Sequence, residues 1–233
     1  MKVIWAITGA GHLLKESINV LEKISDEHVL TIILSNAGLE VIEKYGYYNK
    51  LKEIEDKNVE NKIITEINQQ YSYPFSGKIT HQKYDLIIVS PTTANTTAKI
   101  VHGIADTLVT NIVAQSGKAH IPLIVVPVDQ KEGSVETTLP PYIKKELCRK
   151  CPDCKAKEAC PQNAINPPTL DTVKCVSCMK CENTCIYNAL VTNEKIELYI
   201  RRIDAENTKK LENIENIKSV FSPEEILKEI SFN

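Results

Sequence analysis

The sequence contains 233 residues, of which 42% are hydrophobic and 25% charged, as is ordinary for a globular protein with one large core. Its 28 basic and 30 acidic residues nearly cancel to a net charge of −2, which argues against a nucleic-acid partner. No apolar run approaches the roughly 18 residues of a membrane span, so we expect a cytoplasmic protein with no membrane partner.

Residues 1–130 alternate between apolar, strand-like runs and helix-like stretches. The predicted strands are Val3–Ile7, Val29–Leu34, Asp85–Val89 and Leu123–Val126, and the predicted helices span 13–24, 38–46, 94–102 and 107–115. Near-continuous apolar strands separated by helices predict a doubly wound parallel α/β sheet, in which ligands bind outside the carboxyl ends of the strands. We expect a loop over 67–82, with aromatic residues that either cap a pocket or cover the edge of the core.

The second half of the chain changes character after Pro140-Pro141. A cysteine-rich stretch follows, and then Lys195–Ile203 alternates like a strand. The tail contains a helix start at Ser222-Pro223-Glu224-Glu225. A cysteine module has no need of this tail, so we predict that the chain returns to the first domain. The expected division is an α/β domain (1–143), an inserted cysteine domain (144–190) and a returning segment (191–233).

All eight cysteines lie within 38 residues, which is the pattern of a metal-binding module rather than of a disulfide framework. They form two runs, Cys148-x2-Cys151-x2-Cys154-x5-Cys160 and Cys175-x2-Cys178-x2-Cys181-x3-Cys185. Similar phrases follow the fourth cysteine of each run: Pro-Gln-Asn-Ala-Ile, then Ile-Tyr-Asn-Ala-Leu. The sequence is therefore internally duplicated, and we expect the x5 spacing to form a local bulge.

Three cysteines spaced by two residues can bind one face of a [4Fe–4S] cubane, and in two-cluster ferredoxins the fourth ligand comes from the other run. This predicts two clusters. Cluster one is bound by Cys148, Cys151, Cys154 and Cys185, and cluster two by Cys160, Cys175, Cys178 and Cys181. The alternative is zinc, but zinc sites pair two CxxC units and have no use for a third evenly spaced cysteine. The module resembles a bacterial-type two-cluster ferredoxin.

Small and polar residues follow the first two predicted strands. The first strand leads into Gly9, Ala10, Gly11 and His12, and the second into Ser35 and Asn36. A turn of small residues that enters a helix N-terminus suits a phosphate group. We expect a single phosphate pocket here, since the sequence has no second nucleotide-binding fingerprint.

The strand Asp85–Val89 leads into a distinctive polar segment made of Ser90, Pro91, Thr92, Thr93, Ala94, Asn95 and Thr96. It resembles the Pro-Ala-Ser-Ala-Asn-Thr motif of the homo-oligomeric flavin-containing cysteine decarboxylase family. The resemblance implies a flavodoxin-like, three-layer α/β/α fold in which these residues, together with Asp106, contact FMN. The alternative is a Thr- and Asn-rich helix cap without a ligand.

The same family carries a Pro-x-Met-Asn segment after a later strand, where this chain has Pro127, Val128, Asp129 and Gln130. Because the Met and Asn are absent, decarboxylation is not expected. We still expect the first three of these residues to lie at the cofactor site.

Four further segments flank the cysteine module: Tyr73-Pro74-Phe75-Ser76-Gly77, the stretch Pro91–Leu108, Glu136-Thr137-Thr138-Leu139-Pro140, and Arg202-Ile203-Asp204-Ala205-Glu206-Asn207. With these segments and the inserted module, the chain resembles the archaeal acceptor-type dihydromethanopterin reductases over nearly its full length, and the related archaeoflavoproteins over the flavin domain. This implies that electrons from a low-potential donor such as ferredoxin cross two clusters to FMN, which reduces the pterin 7,8-dihydromethanopterin to the tetrahydro form. One alternative is an electron-transfer protein without a pterin substrate, and another is a regulatory or scaffolding protein. We identify no catalytic residue.

The resembled family forms trimers or multiples of trimers, with flavin sites completed between subunits. A homotrimer is therefore expected here. The stretch 94–115 offers further apolar surface for such an interface through Ile100, Val101, Ile104, Leu108, Val109, Ile112 and Val113. The alternative is that these side chains fill the core of one subunit.

Overall fold

The fold is known from a computed structural model that describes residues 1–231. The described residues form twelve strands: β1 (Lys2–Ile7), β2 (Val29–Leu34), β3 (Lys62–Thr65), β4 (Leu86–Thr92), β5 (Leu123–Pro127), β6 (Gly133–Thr138), β7 (Tyr142–Ile143), β8 (Ile165–Asn166), β9 (Thr169–Leu170), β10 (Leu190–Val191), β11 (Lys195–Ile200) and β12 (Ile217–Ser219).

Within the same residues, nine α-helices connect or cover these strands: α1 (Leu14–Ile24), α2 (Asn36–Lys44), α3 (Tyr48–Asp56), α4 (Pro74–Lys78), α5 (Ala94–Val101), α6 (Leu108–Lys118), α7 (Lys155–Ala159), α8 (Arg202–Lys210) and α9 (Glu225–Ser231). Short 3₁₀ turns occur at Glu66–Asn68 and Leu211–Asn213. Within the described part of the chain, no helix has both the length and the apolar character needed to cross a membrane.

Six strands form one sheet in the order β3-β2-β1-β4-β5-β12, and every neighbouring pair is parallel. The predicted doubly wound, flavodoxin-like α/β class is confirmed. The order reverses between β1 and β4, since the chain builds outward from β1 in one direction and from β4 in the other. Ligands in open α/β sheets bind beyond the carboxyl ends of the strands at such a reversal.

The sheet is covered on both faces, which gives three layers. On one face, Val3, Trp5 and Ile7 of β1 pack with apolar side chains of α1, α2, α3 and α9. On the other face, Ile4 and Ala6 pack with side chains of α4, α5 and α6. Alternate residues of a strand point to opposite faces, so a strand buried on both sides is apolar throughout.

The four predicted strands and the four predicted helices of 1–130 are all present, and no end is displaced by more than three residues. Three predictions need correction. Residues 67–82 are not a simple loop, since they contain α4. The predicted strand Lys195–Ile203 ends at Ile200, because Arg201 is the N-cap of α8. The predicted helix near Ser222 begins at Glu225.

The segment between β5 and β12 leaves the sheet and comes back to it. An antiparallel ribbon pairs β6 with β11, so that Gly133 lies opposite Ile200. A smaller ribbon pairs β7 with β10 and leads into the cysteine segment. After α8 the chain adds β12 beside β5. The division at 143/144 and 190/191 stays a prediction, although both points lie in the smaller ribbon.

The apolar stretch of 94–115 mainly fills the core of its own subunit. Ile100, Leu108, Val109, Ile112 and Val113 are buried within the described chain. Of the named apolar residues, only Ile104 is classed as exposed, at 47%. The expectation that this stretch offers a broad apolar interface is therefore wrong, because helical spacing places most of these side chains on the sheet.

Candidate cofactor sites

Thr8 is hydrogen-bonded to the loop after β4 and so connects the two loops at the reversal point of the sheet, those after β1 and β4. The Thr8 hydroxyl, at the end of β1, donates to the Pro91 carbonyl at 2.8 Å. The same oxygen accepts from the backbone N–H of Thr93 at 2.9 Å. Because Thr8 is buried, these bonds fix the start of α5 relative to the loop after β1.

Glycines allow the loops after β1 and β2 to approach each other. A Cβ added to Gly9 would lie 2.6 Å from Ala37 Cβ, and one added to Gly38 would lie 2.3 Å from the Ile7 carbonyl oxygen. Ser35 caps α2 by accepting from the Gly38 N–H at 2.9 Å. At this edge of the sheet, a turn of small residues therefore lies beside the capped N-terminus of α2, which is a suitable environment for a phosphate.

The predicted segment after β4 divides into buried and accessible side chains. The hydroxyls of Ser90 and Thr92 are fully buried, and they bond to Ser17 Oγ at 2.8 Å and to the Val89 carbonyl at 2.7 Å. These two side chains therefore hold the interior of the fold. Thr93 is the N-cap of α5 and Asn95 is exposed, so they are better placed to meet a ligand.

A small charged group lies beside the start of α5. Burial and the neighbouring Asp204 raise the pKa of Asp129, while the Ala94 N–H, His12 and Arg201 act in the opposite sense. Arg201 donates two hydrogen bonds to the Asp204 carboxylate, at 2.7 and 2.8 Å. The structure thus brings together His12 and Asp129, predicted from separate segments. It adds Arg201 and Asp204 of the returning segment, to which the sequence prediction assigned no site role.

A carboxylate that no sequence motif indicates is hydrogen-bonded to the first residues of both α2 and α6 at this edge of the sheet. Glu66 accepts from the Asn36 N–H at 2.9 Å and from the Leu108 N–H at 2.7 Å. These are the first residues of α2 and α6, where backbone N–H groups lack helical partners and favour negative charge. Asp106, predicted to contact the cofactor, pairs with Lys99 at 2.8 Å.

A cavity of about 260 Å³ lies between the α/β sheet and the cysteine segment. Gly11, His12 and Tyr45 line it from the sheet side, and Ser177 and Met179 line it from the cysteine side. A Cβ added to Gly11 would lie only 2.2 Å from the Tyr45 hydroxyl oxygen. The predicted phosphate turn and the residues flanking Cys178 therefore face one shared space.

The eight cysteines form no disulfides with one another, and they divide into two groups in space. Cys160 interacts electrostatically with Cys175 and Cys181, each of which also interacts with Cys178. Burial raises the pKa of Cys175 and of Cys181. The fourth cysteine of the first run thus lies beside the first three of the second run.

The reciprocal arrangement occurs at the other end of the segment. Cys151, Cys154 and Cys185 line a cavity of about 250 Å³. Although burial alone would raise the pKa of Cys185, hydrogen bonds from the backbone N–H groups of 187–190 lower it. Hydrogen bonds to cysteine sulfur stabilise thiolates and tune cluster potentials.

The internal duplication is visible in the backbone. Lys150 and Ser177 each precede the second cysteine of a run, and both have left-handed φ angles, 50° and 46°. Asn163 and Asn188 each follow the fourth cysteine by three residues, with φ of 50° and 51°. The five residues between Cys154 and Cys160 form the short helix α7 rather than the predicted bulge.

The chemistry of these donors fits cubane clusters. Among residues 1–231, no three His, Cys, Asp or Glu side chains converge on one point as the ligands of a single metal ion do. A cubane needs no such convergence, because each thiolate binds a different iron. The Ala164 N–H donates to Cys160 Sγ at 3.3 Å, and Ala164 and Ala189 are buried at equivalent positions.

The cysteine segment docks on the turn between α2 and α3. Ser177 Oγ donates to the Tyr45 carbonyl, and Asn49 Nδ2 donates to the Val173 carbonyl at 3.1 Å. Gly46 has φ of 75°, and a Cβ there would lie 2.5 Å from the Cys175 carbonyl oxygen. The second cysteine run is therefore in direct contact with the α/β domain.

Comparison with known proteins adds three findings. The model of the family described as Flavoprotein matches residues 1–133, a range that ends where β6 begins. A Methanocaldococcus jannaschii protein named dihydromethanopterin reductase (acceptor) is 42% identical over 97% of this chain and 94% of its own. A Methanosarcina mazei protein of the same name is 36% identical over 97% of each chain.

Among solved structures, the chain is similar to Burkholderia xenovorans DmrB in complex with FMN, described as a cubic protein cage for redox transfer. The TM-score is 0.64 at 25% identity, and the match covers 99% of this chain and 93% of the other. The similarity therefore includes the cysteine segment as well as the sheet.

Proposed function

The chain belongs to the flavoprotein family, and we propose on that basis that it is an oxidoreductase of the dihydromethanopterin reductase (acceptor) type. The observation that carries this proposal is the extent of the similarity to the two named reductases, which covers 97% of the chain. It includes both the sheet edge and the cysteine segment. A relative that shared only the sheet would give no reason to expect the same electron pathway.

FMN is the cofactor that we propose for the edge of the sheet. FMN when bound would accept electrons singly and deliver them in pairs to a planar acceptor. The loop after β1 and the N-terminus of α2 would hold its phosphate, at Gly9, Gly11 and Ser35. Thr93 and Asn95 would bond its other polar groups. The support is the closeness of these loops, the Thr8 bridge between them, and the FMN bound by DmrB.

Two [4Fe–4S] clusters are proposed, with crossed fourth ligands. Cysteines 148, 151, 154 and 185 would bind cluster one, and cysteines 160, 175, 178 and 181 cluster two. The support is the spatial grouping of Cys160 with the second run and of Cys185 with the first. The repeated left-handed residues in each half add to it, because equivalent clusters need equivalent backbone turns.

A low-potential iron–sulfur protein such as ferredoxin is the electron donor in this proposal, and the assembly is a trimer or a multiple of trimers in the cytoplasm. Support for the assembly comes from DmrB, since a cubic cage contains threefold axes. The loop before α4 is available for contacts between subunits, because Tyr71 is fully exposed.

Anaerobic turnover tests this function. The purified holoprotein, supplied with reduced ferredoxin and 7,8-dihydromethanopterin, should produce tetrahydromethanopterin, whereas a mixture without ferredoxin should not. Metal and flavin analysis of the same sample should give about eight irons and one FMN per chain. A protein that is fully loaded with both cofactors but forms no tetrahydromethanopterin would refute the proposal and favour an electron-transfer protein without a pterin substrate.

A further inference from the structure

The two halves of the cysteine segment differ in their surroundings. The half that contains Cys175 and Cys178 contacts the α/β domain through Tyr45 and Gly46. The half that contains Cys151, Cys154 and Cys185 opens to the surface through its own cavity. Cluster two would therefore lie against the α/β domain, and cluster one beside its own surface cavity.

The surface beside cluster one carries exposed apolar side chains. Ile186 and Tyr187, which follow Cys185, line its cavity and are 78% and 44% exposed. Leu147, just before Cys148, is exposed as well. Apolar groups next to a redox centre suit a short-lived protein contact, since electron-transfer interfaces are small and need close approach.

Positive charge is concentrated on the same part of the chain. Residues 144–160 contain six basic and three acidic side chains, although the whole chain has a net charge of −2. Within the described residues, four exposed cations of this stretch have no carboxylate at ion-pair distance: Lys145, Arg149, Lys150 and Lys157. Two exposed carboxylates of the stretch, Glu146 and Asp153, also have no such partner among the described residues, so the stretch keeps a net charge of +3 (six basic minus three acidic residues). A net positive surface attracts a partner of the opposite sign over several ångströms.

We propose that this basic surface (Lys145, Arg149, Lys150 and Lys157, with Ile186 and Tyr187) binds an acidic, low-potential iron–sulfur protein. The inference rests on the proposed function and specifies where the donor binds. The partner's clusters lose two electrons in all for each substrate reduced. Both electrons enter at cluster one and leave from the cluster-two side, and two protons come from water.

Charge reversal tests the binding surface directly. The variant Lys145→Glu/Lys157→Glu changes two exposed residues that are each three positions from the nearest cysteine. The matched control, Lys23→Glu/Lys83→Glu, makes the same charge change on exposed lysines of the α/β domain. The probe is an acidic two-[4Fe–4S] ferredoxin, titrated anaerobically into each oxidised holoprotein in a calorimeter at low salt.

We expect the Lys145/Lys157 variant to bind ferredoxin about tenfold or more weakly, with a smaller dependence on salt, and the control to match the native protein. Iron content and the EPR signals of both clusters should be unchanged. If the charge-reversed variant loses its clusters, the neutral variant Lys145→Gln/Lys157→Gln is measured instead. We expect it to show a smaller loss of affinity for ferredoxin. Equal affinity of variant and native protein would overturn the proposal.

Oligomer mass and pterin turnover, measured on the same samples, show what the surface binds. A change in oligomer mass caused by the charge reversal would mean that the surface binds a second copy of this chain, which would also overturn the proposal. Conversely, normal and salt-dependent ferredoxin binding without any pterin reduction would refute the proposed function while leaving the docking surface intact.

Discussion

Gly46 lies in the turn that contacts the cysteine segment, and Gly46→Ala should weaken that contact. The φ of 75° is unfavourable for alanine, which costs about 1–2 kcal/mol. The new Cβ would also lie 2.5 Å from the Cys175 carbonyl oxygen, and forcing apart a packed contact of this kind costs about 1–3 kcal/mol more.

Gly103→Ala is the matched control for backbone strain. Gly103 has nearly the same φ, 69°, but a Cβ there meets nothing within 4 Å. Gly103→Ala should therefore lose only the free energy that the unfavourable backbone conformation costs. The difference in stability between the two variants then measures the contact with the cysteine segment. About 2 kcal/mol of extra destabilisation corresponds to a Tm about 4–8 °C lower for a chain of this size.

Anaerobic thermal unfolding of the two holoproteins, followed by circular dichroism, measures this difference. A Tm for Gly46→Ala equal to or above that of Gly103→Ala would refute the reasoning. It would mean that the α2–α3 turn does not press against the cysteine segment in the folded protein.

Three further predictions concern single side chains. Glu66→Gln should lower the free energy of unfolding by about 2 kcal/mol in a denaturant titration, because it weakens charge-assisted hydrogen bonds to two helix N-termini. The control is Glu60→Gln at an exposed position, and an equal loss in that control would contradict the prediction. Burial and Asp204 raise the pKa of Asp129, so native stability falls as pH rises through that pKa. The Tm of Asp129→Asn should therefore exceed that of the native protein at pH values above the raised pKa, and the two should agree at pH values below the usual carboxyl range. A Tm difference that does not change with pH would contradict this prediction. In EPR, Cys160→Ser should alter the cluster of the second run, and Cys185→Ser that of the first; each variant altering its own run's cluster would exclude crossed ligation.

The apolar periodicity was sufficient to predict the centre of the sheet but not its margins. The strands β1, β2, β4 and β5 are nearly continuous apolar runs, because both faces are covered. β3 is short, only half-buried and at the sheet edge, and its sequence resembles that of a surface segment. The helix α8 was missed because its first residues continue the alternation of β11.

The grouping of the cysteines could be predicted because their spacing is local and duplicated, whereas the rest of the candidate site depends on long-range contacts. Glu66 accepts hydrogen bonds from backbone N–H groups 30 and 42 residues away in the sequence, and no local sequence pattern predicts these contacts. The contact of Tyr45 with Ser177 spans 132 residues. The burial of Ile112 and Val113 likewise depends on which face of α6 meets the sheet, which the sequence alone left open.

Single-turnover oxidation of the reduced holoprotein tests the central claim most directly. The protein is reduced chemically without oxygen, the excess reductant is removed, and 7,8-dihydromethanopterin is added while the flavin absorbance is recorded. The account predicts that the spectrum of oxidised flavin returns while tetrahydromethanopterin appears, with one molecule formed for every two electrons that the flavin and the clusters lose. A flavin that stays reduced with the pterin, yet is rapidly oxidised by an electron-accepting protein, would contradict it.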